Sequence, residues 1–172
     1  MLDNLGVRKG DVVLDPFTGS GADAIFAVLE GAERSVAIDK YEMPFLCARY
    51  NAHRLGISDR VDVRKGDLFE PLREGEKFDL VVANPPFRRM DPKSATEAAI
   101  RDPNYSTLGK FFSGVGNYLK ADGRIRIVFS NVGDLDYFHG LAKAGGFVSE
   151  TIARARFASN VFAEVYEMRR GS

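Results

Sequence analysis

The stretch VVLDPFTGSGADAIFAVLEG, residues 12–31, changes its apolar period halfway along. Val12-Val13-Leu14 is a short β-branched run of the kind that fills a buried strand, and Asp15-Pro16 ends it. Ala24, Ile25, Ala27, Val28 and Leu29 then fall at helical spacing, and Gly31 is a natural C-cap. The spacing predicts a strand, a tight turn through Gly19 and Gly21, and a helix over about 20–31.

The same alternation continues outward. Ser35-Val36-Ala37-Ile38 reads as a second strand ending on Asp39, and residues 42–55 as a second helix closed by Gly56. Val61-Asp62-Val63 is a short third strand that ends near Asp67, and residues 78–83 make a fourth that ends on Asn84. A long polar loop runs from Arg88 to about Ser106, with Pro92 and Pro103 in it and a helical turn or two around Ala95–Ala99. Loops of that length inside a compact domain are usually functional. A helix over about 107–120, a strand over 125–129 and a helix over 134–144 follow. Two β-rich segments, about 147–157 and 161–169, joined by Ala158-Ser159-Asn160, read as a hairpin. Strand–helix alternation implies parallel strands with right-handed crossovers and helices on both faces. A hairpin is antiparallel. The expected fold is α/β: a doubly wound, mostly parallel sheet of about seven strands with a C-terminal antiparallel hairpin, in a single domain spanning 1–172.

Composition narrows the function. The chain has 172 residues, 45% of them hydrophobic, and its 24 Lys and Arg balance 24 Asp and Glu. Zero net charge argues against a strong overall electrostatic grip on nucleic acid and leaves room for a local patch. The sequence lacks an apolar run long enough for a membrane span, and the N-terminus lacks the features of a signal peptide. Cys47 is the single cysteine, so no internal disulfide forms and a reducing, cytoplasmic setting is expected. His53 and His139 lie far apart and no C-x-x-C occurs, so no metal is expected.

In doubly wound sheets ligands bind beyond the carboxyl ends of the strands. Three strands here end on a carboxylate, Asp15, Asp39 and Asp67, and a fourth on Asn84. In the loop Asp15-Pro16-Phe17-Thr18-Gly19-Ser20-Gly21 the glycines let a ligand approach the backbone, at the start of a helix that donates N–H groups. With Ala24 the loop also satisfies a loose G-x-G-x-x-A pattern. Asp39 is placed to accept both hydroxyls of a ribose, and Asp67 to accept an adenine amino group with Leu68 against the ring. The set suits a nucleoside, and both NAD and S-adenosylmethionine carry one. Asp15 separates the two, because a carboxylate inside the loop repels a pyrophosphate and welcomes an ammonium, directly or through water.

The pieces VVLDPFTGSG (12–21), VAIDK (36–40), KGDLFE (65–70) and VVANPPF (81–87) resemble, in order and spacing, the class I S-adenosylmethionine-dependent methyltransferases. Within them the chain looks like the amino-methyltransferases with a (D/N)-P-P-(Y/F/W) signature. The resemblance covers about residues 8–146. It implies S-adenosyl-L-methionine as cofactor, held by Asp15, Phe17, Thr18, Gly19, Ser20, Gly21, Asp39, Lys40, Asp67, Leu68 and Asn84, with S-adenosyl-L-homocysteine as product. It implies a catalytic turn of Asn84, Pro85, Pro86 and Phe87. The Asn84 side-chain oxygen and the Pro85 carbonyl would accept hydrogen bonds from a conjugated amine, the prolines would stiffen that carbonyl, and Phe87 would stack on the acceptor.

Two acceptor classes stay open. One is the exocyclic amine of adenine or guanine in RNA or DNA, which Phe87 and the basic Arg88-Arg89, with Lys93, favour. The other is a protein glutamine side chain, as in the release-factor glutamine methyltransferases. Arg88 and Arg89 are substrate-contact candidates in either case. Family members usually carry an upstream recognition segment. Its absence ahead of the first strand leaves target reading to the 88–106 loop, the hairpin or an activating partner subunit. An NAD-binding module or an inactive cofactor-binding subunit is the remote alternative.

Overall fold

The computed structural model describes residues 2–94 and 97–171. The sheet has seven strands: β1 (Val12–Asp15), β2 (Arg34–Asp39), β3 (Val61–Lys65), β4 (Phe78–Ala83), β5 (Leu119–Ser130), β6 (Phe147–Ala158) and β7 (Val161–Arg170). Their spatial order is β3-β2-β1-β4-β5-β7-β6. The first five pair in parallel, and β7 runs antiparallel to both β5 and β6. The order reverses beside β1, so the crevice of a doubly wound sheet opens between β1 and β4. Four helices cover it: α1 (Ala22–Leu29), α2 (Glu42–Arg54), α3 (Ser106–Gly114) and α4 (Leu135–Ala144).

Alternation along each strand sends side chains to two cores. Leu14, Ile38, Val81, Ile127 and Phe129 face Leu108, Phe111 and Phe112 of α3 and Phe138 of α4. Val13, Leu80 and Val82 face Leu5 and Ala27, and Ala37 and Val61 face Ile25 of α1 and Ala52 of α2. Burial of these apolar faces is the main force that holds the layers together. Towards the amino-terminal ends of the strands, away from the ends that carry the site, the buried Arg124 of β5 is paired with Asp11 at 2.6 Å.

Several boundaries differ from expectation for local reasons. The first helix starts at Ala22 because Gly21 has φ 86°, outside helical space. The third strand runs on to Lys65, since Arg64 and Lys65 pair with Ile38 and Asp39. The helix expected to reach 120 stops at Gly114, becomes a 3-10 turn over Val115–Tyr118, and enters the sheet at Leu119. Ring packing fixes that end, because a Cβ at Gly114 would stand 2.8 Å from the Phe69 ring. Residues 95 and 96 of the turn expected at Ala95–Ala99 lie outside the described residues, and Glu97–Ala99 form a 3-10 turn.

Candidate active site

A cavity of about 350 Å³ lies beyond the carboxyl ends of β1, β2 and β4. Pro16, Phe17 and Gly19 line it from the first loop, Asp39, Lys40 and Tyr41 from the second, Asp67 and Leu68 from the third, and Asn84 and Pro86 from the fourth. The long loop closes the remaining side with Pro92, Ala98, Ala99, Arg101, Pro103, Ser106 and Thr107.

The glycine loop is tied largely to itself. Gly19 has φ 54°, and a Cβ placed there would meet nothing within 4 Å. Its backbone thus stands open, and its N–H donates to Asp39 Oδ2 at 3.0 Å. Gly21 is needed for a different reason: a Cβ there would press on Ala48 of α2 at 3.0 Å. The Ser20 carbonyl accepts from Asn51 Nδ2 at 2.9 Å, which pins α2 to the loop. Asp15 is 1% exposed and does not line the cavity. Its oxygens accept the Thr18 hydroxyl at 2.8 Å and the Phe17 N–H at 3.3 Å. Burial, with the nearby Asp23 charge, pushes the Asp15 carboxyl up to about 8. Thr18 is buried too, so both stand behind the loop and shape it.

Asp39 reaches the cavity. Its Oδ1 accepts the Tyr41 N–H at 2.9 Å and its Oδ2 the Gly19 N–H, which leaves lone pairs on both oxygens free. Partial burial raises its carboxyl above the ordinary range. Lys40 stands over the Tyr41 ring, 5.2 Å from its centroid. Asp67 lies 3.4 Å from Lys110 Nζ, and the buried Leu68 adopts φ 54° to turn the chain at the cavity wall.

The turn after β4 carries the most exposed polar group at a buried strand end. Val81, Val82 and Ala83 are buried, Asn84 is exposed, and Pro85 is buried again. Among the described residues no side chain or backbone group hydrogen-bonds the Asn84 carboxamide, which lines the cavity. Phe87 is placed differently from the reading above. It packs half-buried against the main core cluster and does not line the cavity. The Tyr105 hydroxyl donates to the Phe87 carbonyl at 3.1 Å and accepts from the Asp134 N–H at 2.8 Å. Arg88 continues the brace: its N–H donates to the Ile100 carbonyl at 2.9 Å and its carbonyl accepts from the Asp102 N–H at 2.8 Å. Gly133 fits against the Phe87 carbonyl where no Cβ has room.

Sequence reasoning missed these supports. Asp102, fully buried, accepts from the Thr107 and Leu108 N–H groups at 3.0 and 2.9 Å and so caps α3. Tyr105 is 2% exposed and, like Asn104 before it, has positive φ, at 54° and 51°. Two successive non-glycine residues in that region mark a segment held by its surroundings. The signal available was the loop's length and the Asp102-Pro103 pair near its end; nothing in the sequence aims Tyr105 at Phe87.

Among the described residues no group of three or more His, Cys, Asp or Glu is arranged to hold a metal, and no helix is long and apolar enough to cross a membrane.

Residues 1–143 match the family described as UPF0020: RMKL-like, methyltransferase domain. A release factor glutamine methyltransferase from Clostridium acetobutylicum is 34% identical over 122 residues, covering 63% of this chain and 40% of that protein. A ribosomal protein L11 methyltransferase from Pelotomaculum thermopropionicum is 45% identical over 78 residues, covering 45% of this chain and 25% of that protein. The chain thus spans two fifths or less of the length of these two relatives. Among solved structures, the ribosomal protein L11 methylase of Lactobacillus delbrueckii subsp. bulgaricus superposes with TM-score 0.70 at 23% identity, over 99% of this chain and 75% of that one. The Thermus thermophilus 16S rRNA N2 G1207 methyltransferase, in complex with AdoMet and guanosine, superposes with TM-score 0.71 at 20% identity, over 99% of this chain and 40% of that one. At these identities the structures show a shared fold. The family match covers most of the chain, which belongs to the RMKL-like methyltransferase domain family.

Proposed function

We propose that the cavity binds S-adenosyl-L-methionine and that Asn84 presents to it a conjugated nitrogen, the exocyclic amine of adenine or guanine in RNA. The observation that carries this reading is the free Asn84 carboxamide at the end of a buried strand, in the same cavity as Gly19, Asp39 and Asp67. The residues fit the cofactor. A cavity of about 350 Å³ is in the range of small-molecule sites. Gly19 gives an open backbone, and Asp39 has lone pairs left for a ribose. The acids that line the cavity, Asp39 and Asp67, suit a cationic ligand better than a pyrophosphate.

When bound, S-adenosyl-L-methionine would supply an electrophilic sulfonium methyl for the acceptor nitrogen, with the carbon–sulfur electron pair retained by sulfur. The protein's part is positioning and electrostatics. Asn84 Oδ1 and the Pro85 carbonyl accept the two N–H groups of the acceptor, which draws its lone pair out of conjugation. Pro86 and Pro92 are among the cavity walls available to a planar ring, and Phe87 steadies the turn from the core side. The product ammonium is acidic and loses its proton to water, so no dedicated base is required. Residues 1–172 act here as one catalytic domain, in a cytoplasmic setting. Within these residues the long loop and the hairpin are the elements available to read the target.

A second reading, methylation of a glutamine side-chain amide, is supported by the names of relatives such as the Clostridium acetobutylicum protein. Incubation with tritiated cofactor and separated RNA, DNA and protein fractions tests both. Label in RNA, mapped to a base amine, is the expected outcome. Label confined to protein favours the second reading, and label in no fraction counts against both.

A further inference from the structure

Past Phe87 the chain leaves the main cavity and borders a second pocket, of about 370 Å³, which shares no lining residue with the first. Arg88, Arg89, Met90, Tyr105, Val132 and Asp134 line it. The Arg89 guanidinium stands 5.8 Å from the Tyr105 ring centroid and 5.5 Å from that of Tyr137. The two rings are themselves stacked, 5.4 Å apart and 23° from parallel. Cation–π contact of this kind holds the guanidinium plane without neutralising its charge. Among the described residues neither Arg88 nor Arg89 forms an ion pair with a carboxylate, whereas ten other ion pairs do form there. The acid that lines the pocket, Asp134, caps α4 by accepting the Tyr137 N–H at its Oδ1, 3.0 Å away, and pairs with neither arginine. Met90 and Val132, both well exposed, add apolar walls.

We propose that this pocket seats the nucleotide adjoining the methylated one. Its phosphate lies between Arg88 and Arg89, and its base lies on the Arg89 plane that the two tyrosines support. Guanidinium planes and aromatic rings are the platforms on which unstacked bases rest, and unpaired guanidinium groups take phosphate in bidentate fashion. The frame is rigid: the Arg88 backbone is hydrogen-bonded on both sides, and the Tyr105 hydroxyl ties the pocket to the Phe87 carbonyl. A nucleic acid engaged here enters the active site as a single strand across Phe87. An acidic peptide offers carboxylates to the same arginines but fills the Arg89 platform only where an aromatic side chain happens to follow, whereas every nucleotide carries a planar base. This inference rests on the nucleobase reading of the acceptor.

The test compares the wild type with the double variant Arg88→Ala/Arg89→Ala and with Tyr137→Ala. A short fluorescein-labelled single-stranded RNA of mixed sequence is titrated at two salt concentrations. Calorimetry with S-adenosylhomocysteine checks that each variant keeps the cofactor site. Tritium transfer to RNA and protein fractions is followed in parallel. The expected result is label in RNA, about tenfold or greater weakening of oligonucleotide affinity in the double variant, a smaller loss in Tyr137→Ala, and a salt slope reduced by about one to two. Cofactor affinity stays unchanged. If the wild type labels RNA and the double variant binds and methylates it equally well, the second pocket is overturned while the nucleobase reading stands. If the wild type labels protein alone, the nucleobase reading falls and this pocket's assignment falls with it. Loss of that protein labelling in the double variant would then give the pocket to an acidic flank of the peptide.

Discussion

The turns after β1 and β4 leave adjacent parallel strands and open on one cavity, yet they are held in opposite ways. The glycine loop is satisfied from within and from the next strand: Asp15 bonds Thr18 and Phe17, and Gly19 bonds Asp39. The proline turn has little to bond with itself, since two of its N–H groups are missing. It is braced instead by Tyr105, Gly133 and the pairing of Arg88 with Ile100 and Asp102. One turn is specified by its own residues, and the other borrows its shape from a distant loop.

The largest effect should come from the proline turn's own polar group. Asn84→Ala removes an acceptor that acts on the reacting nitrogen, and loss of one such preorganised group typically lowers turnover about 10²–10³-fold. Cofactor affinity should stay within a few fold. Single-turnover kinetics with saturating cofactor measures this, and wild-type turnover would remove Asn84 from the mechanism.

Asp39→Ala probes the other side of the comparison. The carboxylate both faces the cavity and holds Gly19, so its loss should weaken S-adenosylhomocysteine binding by about 1–3 kcal/mol, with little change in turnover at saturation. Equal affinity by calorimetry would reject the ribose contact.

This contrast explains how much of the molecule was legible in the sequence. The strand ends at Asp15, Asp39 and Asn84 were readable, because an apolar run that stops on a polar residue reports burial and its limit together. So was the reversed β7, because a short connection allows only an antiparallel partner. The placements of Asp15 and Phe87 were not. Both depend on what packs behind a turn: Asp15 sits 1% exposed under its own loop, and Phe87 packs against a core cluster assembled from elements distant in sequence. Tyr105 was illegible for the same reason, since its partners lie 18 and 29 residues away.

Burial of Asp15 gives a smaller, pH-dependent effect. Its carboxyl titrates at about 8 in the folded protein against 3.8 ordinarily. Between those values the folded state keeps a proton that the unfolded state has lost. Stability from this group therefore falls as pH rises through the window and levels off above about 8. The ligand-free wild type should lose thermal stability from pH 5 to pH 8 relative to Asp15→Asn, by at least about 2–4 °C, the shift that 1 kcal/mol makes in a domain of this size. A cationic ligand favours the ionised form, so the difference should shrink when S-adenosylmethionine is present. Parallel melting curves for the two proteins would show that the carboxyl is ionised throughout.

The mildest change tests the borrowed brace itself. Tyr105→Phe keeps the ring that stacks on Tyr137 and removes the hydroxyl between the Phe87 carbonyl and the Asp134 N–H. Both partners then lose a hydrogen bond, at a cost of about 1 kcal/mol in stability. A fold effect alone would leave turnover intact at temperatures where the variant is fully folded. If the proline turn takes its shape from this hydroxyl, turnover should fall several-fold there while cofactor affinity holds, because the Asn84 amide and the Pro85 carbonyl lose register with the acceptor. The glycine loop supplies the control. Thr18→Val removes the equivalent hydroxyl bond on that side, to Asp15, and should disturb cofactor affinity rather than turnover. Should both variants shift the same parameter, the two turns are one unit, and the distinction between a self-held and a borrowed turn does not describe how this site works.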